Sequence, residues 1–468
     1  MTPMPAECSA KRFDFGSLDR RIIEADFGGG AITSNAGALL LGQLDRGLGL
    51  IRRFAACFTD RRNPVFVEHH LETLLGQRIF GLALGYEDLV DHDELRKDPV
   101  MAVLAGKLQS TRPDCEPLAG KSTLNRLEHA SKNPAKAKKY HKIDCDLTKA
   151  EALLVDLFLE AHPKAPAEIV IDLDATDIPL HGHQEGRFFH GYYGHYCYLP
   201  LYIFCGDHLL LARQRRSNID AAAGALEEVI RIVRQIRARR GWTKTRSILR
   251  ADSGFCRDAL MSWCEDNHVG YVFGLARNKR LQADLAKELE TARTLCEASG
   301  RSARVFKDFL YQTLDSWTRP RRVVGKAEHT PQGSNPRFVV TNLIKKAWAA
   351  KALYEDLYCA RGEAENRIGE QFELFADRAS SQTLKANQLR LLFSAMAYTL
   401  IETLRRVALR HTQLANASAN TIRLKLFKLG AQVRMNTRRI RFAIASSCPN
   451  QIEFELAHLY LRRAYPSP

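Results

Sequence analysis

The stretch IVIDLDATD, residues 169–177, is a run of β-branched and apolar residues that gives way to acidic and polar ones. A buried strand has this pattern, and the polar residues then lie where the strand ends. A second such run, ILRADSGF (248–255), ends at Asp252. Between them, residues 221–240 carry apolar side chains at helical spacing. Strands that alternate with helices predict an α/β fold, with Asp174 and Asp252 at the ends of two strands.

A third stretch, YCARGEAEN (358–366), has the composition of a helix. On a helix Tyr358, Arg361 and Glu365 stand at positions i, i+3 and i+7, and therefore share one face. Arginine is suited to bidentate contact with phosphate, and a phenol can stack or donate a hydrogen bond. The simpler interpretation of this segment is an Arg–Glu pair on a solvated helix.

Three acids placed in this way suggest a metal site. Two divalent cations about 3.5–4 Å apart neutralise a phosphodiester and activate an oxygen nucleophile when carboxylates hold them. Mg²⁺ needs only a few carboxylates besides water and substrate oxygens. Asp174, Asp252 and Glu365 are therefore the candidate catalytic residues and metal ligands. We expect two Mg²⁺ ions, for which Mn²⁺ should substitute. Each acid alone would more often be a cap, a turn residue or a surface charge.

The charge of the chain indicates a polyanionic partner. Its 69 Lys and Arg exceed its 53 Asp and Glu, a net charge of +16, as is typical of proteins that bind nucleic acid. The excess is strongest at residues 401–468, with 12 basic and 3 acidic residues, and a lysine-rich connector lies at 131–142. In the short helix predicted at 122–129, Arg126 is a candidate for DNA contact. A merely solubilising surface is the alternative interpretation.

Several classes of protein are disfavoured by the sequence. It has no uninterrupted apolar run of about 18 residues, so no membrane span is expected. Its first residues lack the apolar core of a signal peptide, and we expect a cytoplasmic protein. The 11 cysteines include no C-x-x-C pair, which argues against a zinc finger or a disulfide framework.

Together these motifs resemble a DDE transposase of bacterial insertion sequences. One branch of that group carries a Y-x2-R-x3-E signature, which Tyr358, Arg361 and Glu365 match. The D-x-T of the first catalytic strand matches 174–176, which makes Thr176 a further candidate for DNA contact. Asp252 in RADSGF matches the second aspartate. The full signature adds a lysine seven residues after the glutamate, but Phe372 stands there, so the chain departs from the signature at that position.

The resemblance implies an α/β fold with an RNase H-like mixed sheet flanked by helices, a β-rich insertion and an N-terminal helical domain. It also implies metal-dependent cleavage at the ends of an insertion sequence and joining of the 3′-hydroxyl to target DNA. The partners would be double-stranded DNA, as terminal inverted repeats and target, and a second copy of the chain in an active homodimer. Such a protein would be associated with a bacterial nucleoid. The expected regions are an N-terminal helical, DNA-end-binding domain (1–130), a basic connector and lead-in helix (131–160), the first part of the catalytic core (161–275), the β-rich insertion (276–345), the second part of the core with the catalytic helix (346–411) and a basic C-terminal region (412–468).

Two other functions stay open at this point. IVIDLDAT also matches the D-x-D-x-T signature of haloacid-dehalogenase-like phosphotransferases, in which Asp172 would be the nucleophile and Asp174 the general acid. The chain could also be a captured DNA-binding protein without catalysis. Trp317 in the insertion is a candidate for stacking on a DNA base by its location, with burial in the core as the alternative role.

Overall fold

The structure is a computed structural model that describes residues 12–129 and 142–466. The connector predicted at 131–142 lies outside the described residues, apart from Lys142. The described residues divide into two compact units. Among the described residues, the first unit is formed from 12–51, 63–125 and 403–466, and the second from 52–62, 126–129 and 142–402. No described helix has the length and apolar character needed to cross a membrane.

The strands in chain order are β1 (Phe13–Leu18), β2 (Arg21–Ala25), β3 (Ile32–Thr33), β4 (Phe58–Asp60), β5 (Ile143–Cys145), β6 (Glu168–Ala175), β7 (Ile178–Pro179), β8 (Phe188–His190), β9 (His195–Tyr198), β10 (Leu201–Cys205), β11 (His208–Arg213), β12 (Arg246–Ala251), β13 (Gly270–Leu275), β14 (Ala303–Tyr311), β15 (Arg321–Thr330), β16 (Gly333–Ser334), β17 (Arg337–Thr341), β18 (Ala431–Met435) and β19 (Ile440–Ile444). The α-helices are α1 (Leu39–Leu48), α2 (Leu50–Ala55), α3 (Leu71–Ala83), α4 (His92–Leu95), α5 (Pro99–Leu104), α6 (Lys121–Glu128), α7 (Leu147–Glu160), α8 (Ala225–Ala238), α9 (Asp258–Asp266), α10 (Lys279–Asp284), α11 (Ala286–Ser299), α12 (Ala350–Ala352), α13 (Gly362–Glu373), α14 (Leu384–Leu404), α15 (Ala419–Ile422) and α16 (Gln451–Ala464).

A nine-stranded mixed sheet organises the second unit. Its strand order is β11-β10-β6-β12-β13-β17-β15-β14, and β16 pairs with β15. The first three strands along the chain, β6, β10 and β11, pair antiparallel, whereas β12 runs parallel to β6 and β13 parallel to β12. The first five strands along the chain thus have the RNase H-like order 3-2-1-4-5. The α/β, RNase H-like fold class predicted from the sequence is confirmed.

The two faces of β6 have different roles because successive side chains of a strand point to opposite faces. Ile169, Ile171 and Leu173 pack into the main core together with the apolar stripe of α8. Val170 points to the opposite face and packs with a smaller cluster that includes Leu357. Asp172 and Asp174 share the parity of Val170. The acids therefore lie on the face that the helical segment around Leu357 covers.

The insertion predicted at 276–345 continues the core sheet instead of forming a sheet of its own. β17 pairs antiparallel with β13, β15 with β17, and β14 with β15. The insertion also contains α10 and α11, and Ala292 of α11 belongs to the main core. Trp317 is only 6% exposed and makes an edge contact with the Tyr311 ring at 5.8 Å between centroids. In this structure Trp317 is a core residue.

The first unit combines the N-terminal and C-terminal parts of the chain, which the sequence analysis treats as separate regions. β18 pairs with both β19 and β3, so that a C-terminal hairpin and an N-terminal strand form one small sheet. The helix α3 is buried along almost all of its length. The β1–β2 hairpin, by contrast, is exposed at every residue of both strands.

Candidate active site

Asp174 and Asp252 lie at neighbouring strand ends. β6 and β12 are parallel, with Asp172 in register with Arg250, so the residues two positions further along each strand are again neighbours. Parallel strands lie about 4.8 Å apart, which brings the carboxylates of Asp174 and Asp252 to the same edge of the sheet. Asp252 accepts a hydrogen bond of 2.8 Å from the Gly254 amide and thereby caps the following turn.

The segment that carries the third acid is a continuous helical stretch with irregular turns. After α12 it widens into π-helical turns over Leu353–Tyr358, tightens at Cys359–Arg361 and continues as α13. Leu353 and Leu357 anchor it on the sheet. Such changes of helical pitch are frequent at functional sites, because they alter which side chains share a face.

Tyr358 reaches the sheet because position 274 has no side chain. A Cβ atom at Gly274 would lie 2.6 Å from the Tyr358 hydroxyl and 2.9 Å from the Ser253 backbone nitrogen. The phenol therefore rests against β13 beside the turn that Asp252 caps. Sequence reasoning missed Gly274, although a glycine inside a strand signals a close approach by another group.

Arg361 connects two of the three acids. Its Nη1 lies 3.2 Å from Asp174 Oδ2, and its Nη2 lies 2.5 Å from Glu365 Oε1. The Asp174 side chain is 14% exposed and that of Arg361 22%, whereas Glu365 is 56% exposed. The Arg–Glu pair considered in the sequence analysis is present, but the same guanidinium also reaches across to the strand end.

The electrostatic interactions show that these residues share one site. Burial raises the pKa of Asp174 to about 6; Arg361 opposes this shift, and the negative charges of Asp252 and Glu365 add to it. Burial acts to lower the pKa of Arg361, but Asp174 and Glu365 raise it overall. Burial raises the pKa of Tyr358, and Asp252 contributes to that rise. Like charges held together in this way are typical of functional sites.

The site has the donors for a divalent cation, but they are not in coordinating positions. No group of three or more His, Cys, Asp or Glu side chains among the described residues is spaced to hold a metal ion. The Arg361 guanidinium lies between Asp174 and Glu365 and donates to both carboxylates. Carboxylate oxygens are the ligands that Mg²⁺ prefers. The residues fit such an ion by their chemistry, provided that Arg361 moves away from both acids.

Asp172 has a different environment from Asp174. Both of its oxygens accept hydrogen bonds from Arg250, at 2.5 and 2.8 Å, and both side chains are at most 6% exposed. Arg250 also donates to the Leu357 carbonyl at 2.7 Å. A nucleophile needs an accessible oxygen, and Asp172 has none, which argues against the aspartyl-phosphatase alternative. Sequence reasoning missed Arg250, whose only signal is a charge inside an apolar strand.

The other candidate residues have different locations. Thr176 is half-buried in the two-residue turn between β6 and β7, immediately after the strand that carries Asp174. Arg126 lies half-buried on α6, and its contact with DNA stays a prediction. A neighbour that the sequence analysis missed is Tyr193: burial raises its pKa to about 12, and the charges of Asp177 and Asp174 add to this effect.

The strand order, the adjacent aspartates and the Tyr–Arg–Glu segment above them define the class of DDE transposases. The family described as "Transposase DDE domain group 1" matches residues 15–466, and the chain belongs to that family. The resemblance found from the sequence is thereby confirmed. No curated protein matches the chain. A solved structure described as a cryo-EM structure of the piggyBac transposase synaptic complex with hairpin DNA is 10% identical, and the match covers 92% of this chain and 82% of that one with a TM-score of 0.43.

Proposed function

We propose that this transposase binds the terminal inverted repeats of an insertion sequence, cleaves the DNA at its ends and joins the resulting 3′-hydroxyl to target DNA. The observation that carries the proposal is the convergence of Asp174, Asp252 and Glu365, from two strand ends and one helix, around Arg361. Family membership supports the transposase class. The roles of the individual residues rest on the geometry of the site.

The three acids would hold two divalent cations, Mg²⁺ or in its place Mn²⁺. Bound cations would neutralise the phosphodiester and activate the attacking oxygen. Arg361 would then exchange its carboxylate partners for the phosphate, to which its planar fork is equally suited. Tyr358, fixed against Gly274, would hold the helix at a constant distance from the strand ends.

The remaining positive charge would bind the DNA backbone. On the β18–β19 hairpin, Arg434 stands directly opposite Arg441, and both are exposed. Like charges opposite each other destabilise a strand pair, and a bound polyanion would neutralise the repulsion between the two arginines. Arg438 and Arg439 lie exposed in the turn of the same hairpin. We propose that this hairpin contacts double-stranded DNA in an assembly of two copies of the chain.

The test is cleavage of a labelled duplex that carries the element's own end, in Mg²⁺ and in Mn²⁺. Asp174→Asn, Asp252→Asn and Glu365→Gln should each abolish cleavage and leave duplex binding intact. Glu363→Gln is the matched control, because it makes the same change at an exposed position of α13. Cleavage at the wild-type rate by any of the three variants would overturn the assignment. Tight binding without cleavage by the wild-type chain would identify a non-catalytic DNA-binding protein instead.

A further inference from the structure

The second unit carries a concentrated aromatic surface on the hairpin formed by residues 187–198, which we call the aromatic hairpin. Four aromatic side chains of this unit are exposed among the described residues, and all four lie in the hairpin. They are Phe188 (37% exposed), Phe189 (58%), Tyr192 (87%) and Tyr196 (46%). Contiguous exposed rings on a folded domain usually mark a binding surface.

The aromatic hairpin is a built element. β8 and β9 pair in register, with Phe189 opposite Tyr196 and the fully buried Cys197 opposite Phe188. Ser217 Oγ donates to the Phe188 carbonyl at 2.9 Å, which fixes the first strand. The Arg187 guanidinium lies 4.7 Å from the centre of the Tyr196 ring. Phe189 and Tyr196 thus share the face opposite to that of the buried Cys197, with the positive charge of Arg187 beside them.

The tip of the aromatic hairpin lies next to the candidate active site. His195 Nε2 is 2.6 Å from Oδ2 of Asp177, which stands three residues after Asp174. The Tyr193 phenol lies close enough to Asp174 for the negative charge of that carboxylate to raise the pKa of the phenol. The Tyr192 ring follows at 5.0 Å from the Tyr193 ring and points into solvent.

We infer that the aromatic hairpin binds unpaired nucleobases next to the cleaved phosphate, with Tyr192 as the principal stacking ring. This inference rests on the proposed function, because it needs a DNA end in the site. The bases of a duplex are stacked on each other and leave no face for a protein ring, so exposed rings select single-stranded nucleotides. Arg187 supplies the accompanying charge. Trp317 is buried and offers no free face in this structure.

The experiment compares the affinity of the full chain for a single-stranded oligonucleotide and for a duplex of the element's end. A 2-aminopurine base at the cleavage site reports stacking by its fluorescence. Tyr192→Ala should lower single-strand affinity by about 5- to 150-fold, the range expected for loss of one base–aromatic stack, and should abolish the fluorescence change. Tyr192→Phe should restore both, and duplex affinity should stay within about twofold in each variant. Phe66→Ala is the control, because that exposed ring lies in the other unit.

Two results for Tyr192→Ala would overturn the inference. Unchanged single-strand affinity in Tyr192→Ala, or an equal loss for both DNA forms, would show that the ring does not stack on unpaired bases. If the wild-type chain also cleaves the duplex normally, only the role of the hairpin fails. A wild-type chain that neither binds nor cleaves the element's end would overturn both this inference and the proposed function.

Discussion

Replacing Asp172 by asparagine separates a structural role of this residue from a chemical one. The Asp172–Arg250 pair is at most 6% exposed and makes two short hydrogen bonds. Removing one partner of a buried pair leaves the other charge uncompensated, at a cost of about 3–5 kcal/mol. Asparagine keeps one acceptor oxygen, so we expect Asp172→Asn to lower the free energy of unfolding by about 3 kcal/mol, at the lower end of that range.

The effect should extend to the site through the third contact of Arg250. Its bond to the Leu357 carbonyl fixes the backbone directly before Tyr358. Cleavage by Asp172→Asn should therefore fall by at least the loss of folded protein and recover in part at lower temperature. Catalysis by Asp172 itself would instead abolish the reaction at every temperature.

Urea unfolding followed by tryptophan fluorescence measures the predicted change, since all four tryptophans of the chain lie in the second unit. The double variant Asp172→Leu/Arg250→Met should be more stable than either single variant, because apolar replacements of a whole buried pair are often neutral. Glu290→Gln, which breaks an exposed pair with Arg293, should leave the midpoint unchanged. An Asp172→Asn variant with wild-type stability and no cleavage would refute the structural role.

Three further predictions concern the candidate active site and the β18–β19 hairpin. Gly274→Ala places a methyl group against the Tyr358 hydroxyl and the Ser253 backbone nitrogen, so it should lower the free energy of unfolding in urea by about 1–3 kcal/mol and reduce cleavage. Gly369→Ala, on α13 with no atom of another described element within 4 Å of the added methyl group, should change neither quantity. The folded-state pKa of Asp174 is raised to about 6, so its ionisation opposes folding as the pH rises from about 4 to about 6. Without metal, Asp174→Asn should therefore be more stable than the wild type by up to about 3 kcal/mol at pH 7.5, and equally stable below about pH 4. Mg²⁺ should reduce this difference in stability, because it binds the wild-type carboxylate. A wild type that is more stable than the variant at pH 7.5 would contradict the prediction. Arg441→Gln should weaken duplex binding and reduce the slope of log affinity against log salt by about 1, and an unchanged slope would exclude this hairpin from the interface.

The sequence predicted the features of the fold and site that depend on local pattern. Runs of apolar and β-branched residues identified β6 and β12, and in each case an aspartate stands where the run ends. Helical spacing put Tyr358, Arg361 and Glu365 on one segment. That the three acids meet in one site was an expectation from the resemblance to DDE transposases, because no local pattern specifies that β6 and β12 are parallel neighbours.

Features that depend on strand register or on contacts between distant residues could not be predicted. Arg250 finds Asp172 only because β12 pairs with β6 in one register, and no local pattern specifies that register. The strands of the insertion have the same composition whether they form a separate sheet or extend the core sheet, as β17 does beside β13. Likewise, the pairing of β18 with β3 joins segments about 400 residues apart, beyond the reach of any periodicity argument.

The position of Arg361 has a consequence for when the site becomes reactive. Before Asp174 and Glu365 could hold a divalent cation, the Arg361 guanidinium would have to leave both carboxylates and pair with another anion nearby. A DNA phosphate would be such an anion, because the planar guanidinium suits phosphate as well as carboxylate. DNA binding would thus free the two carboxylates for a metal ion, whereas without DNA they would stay paired with Arg361.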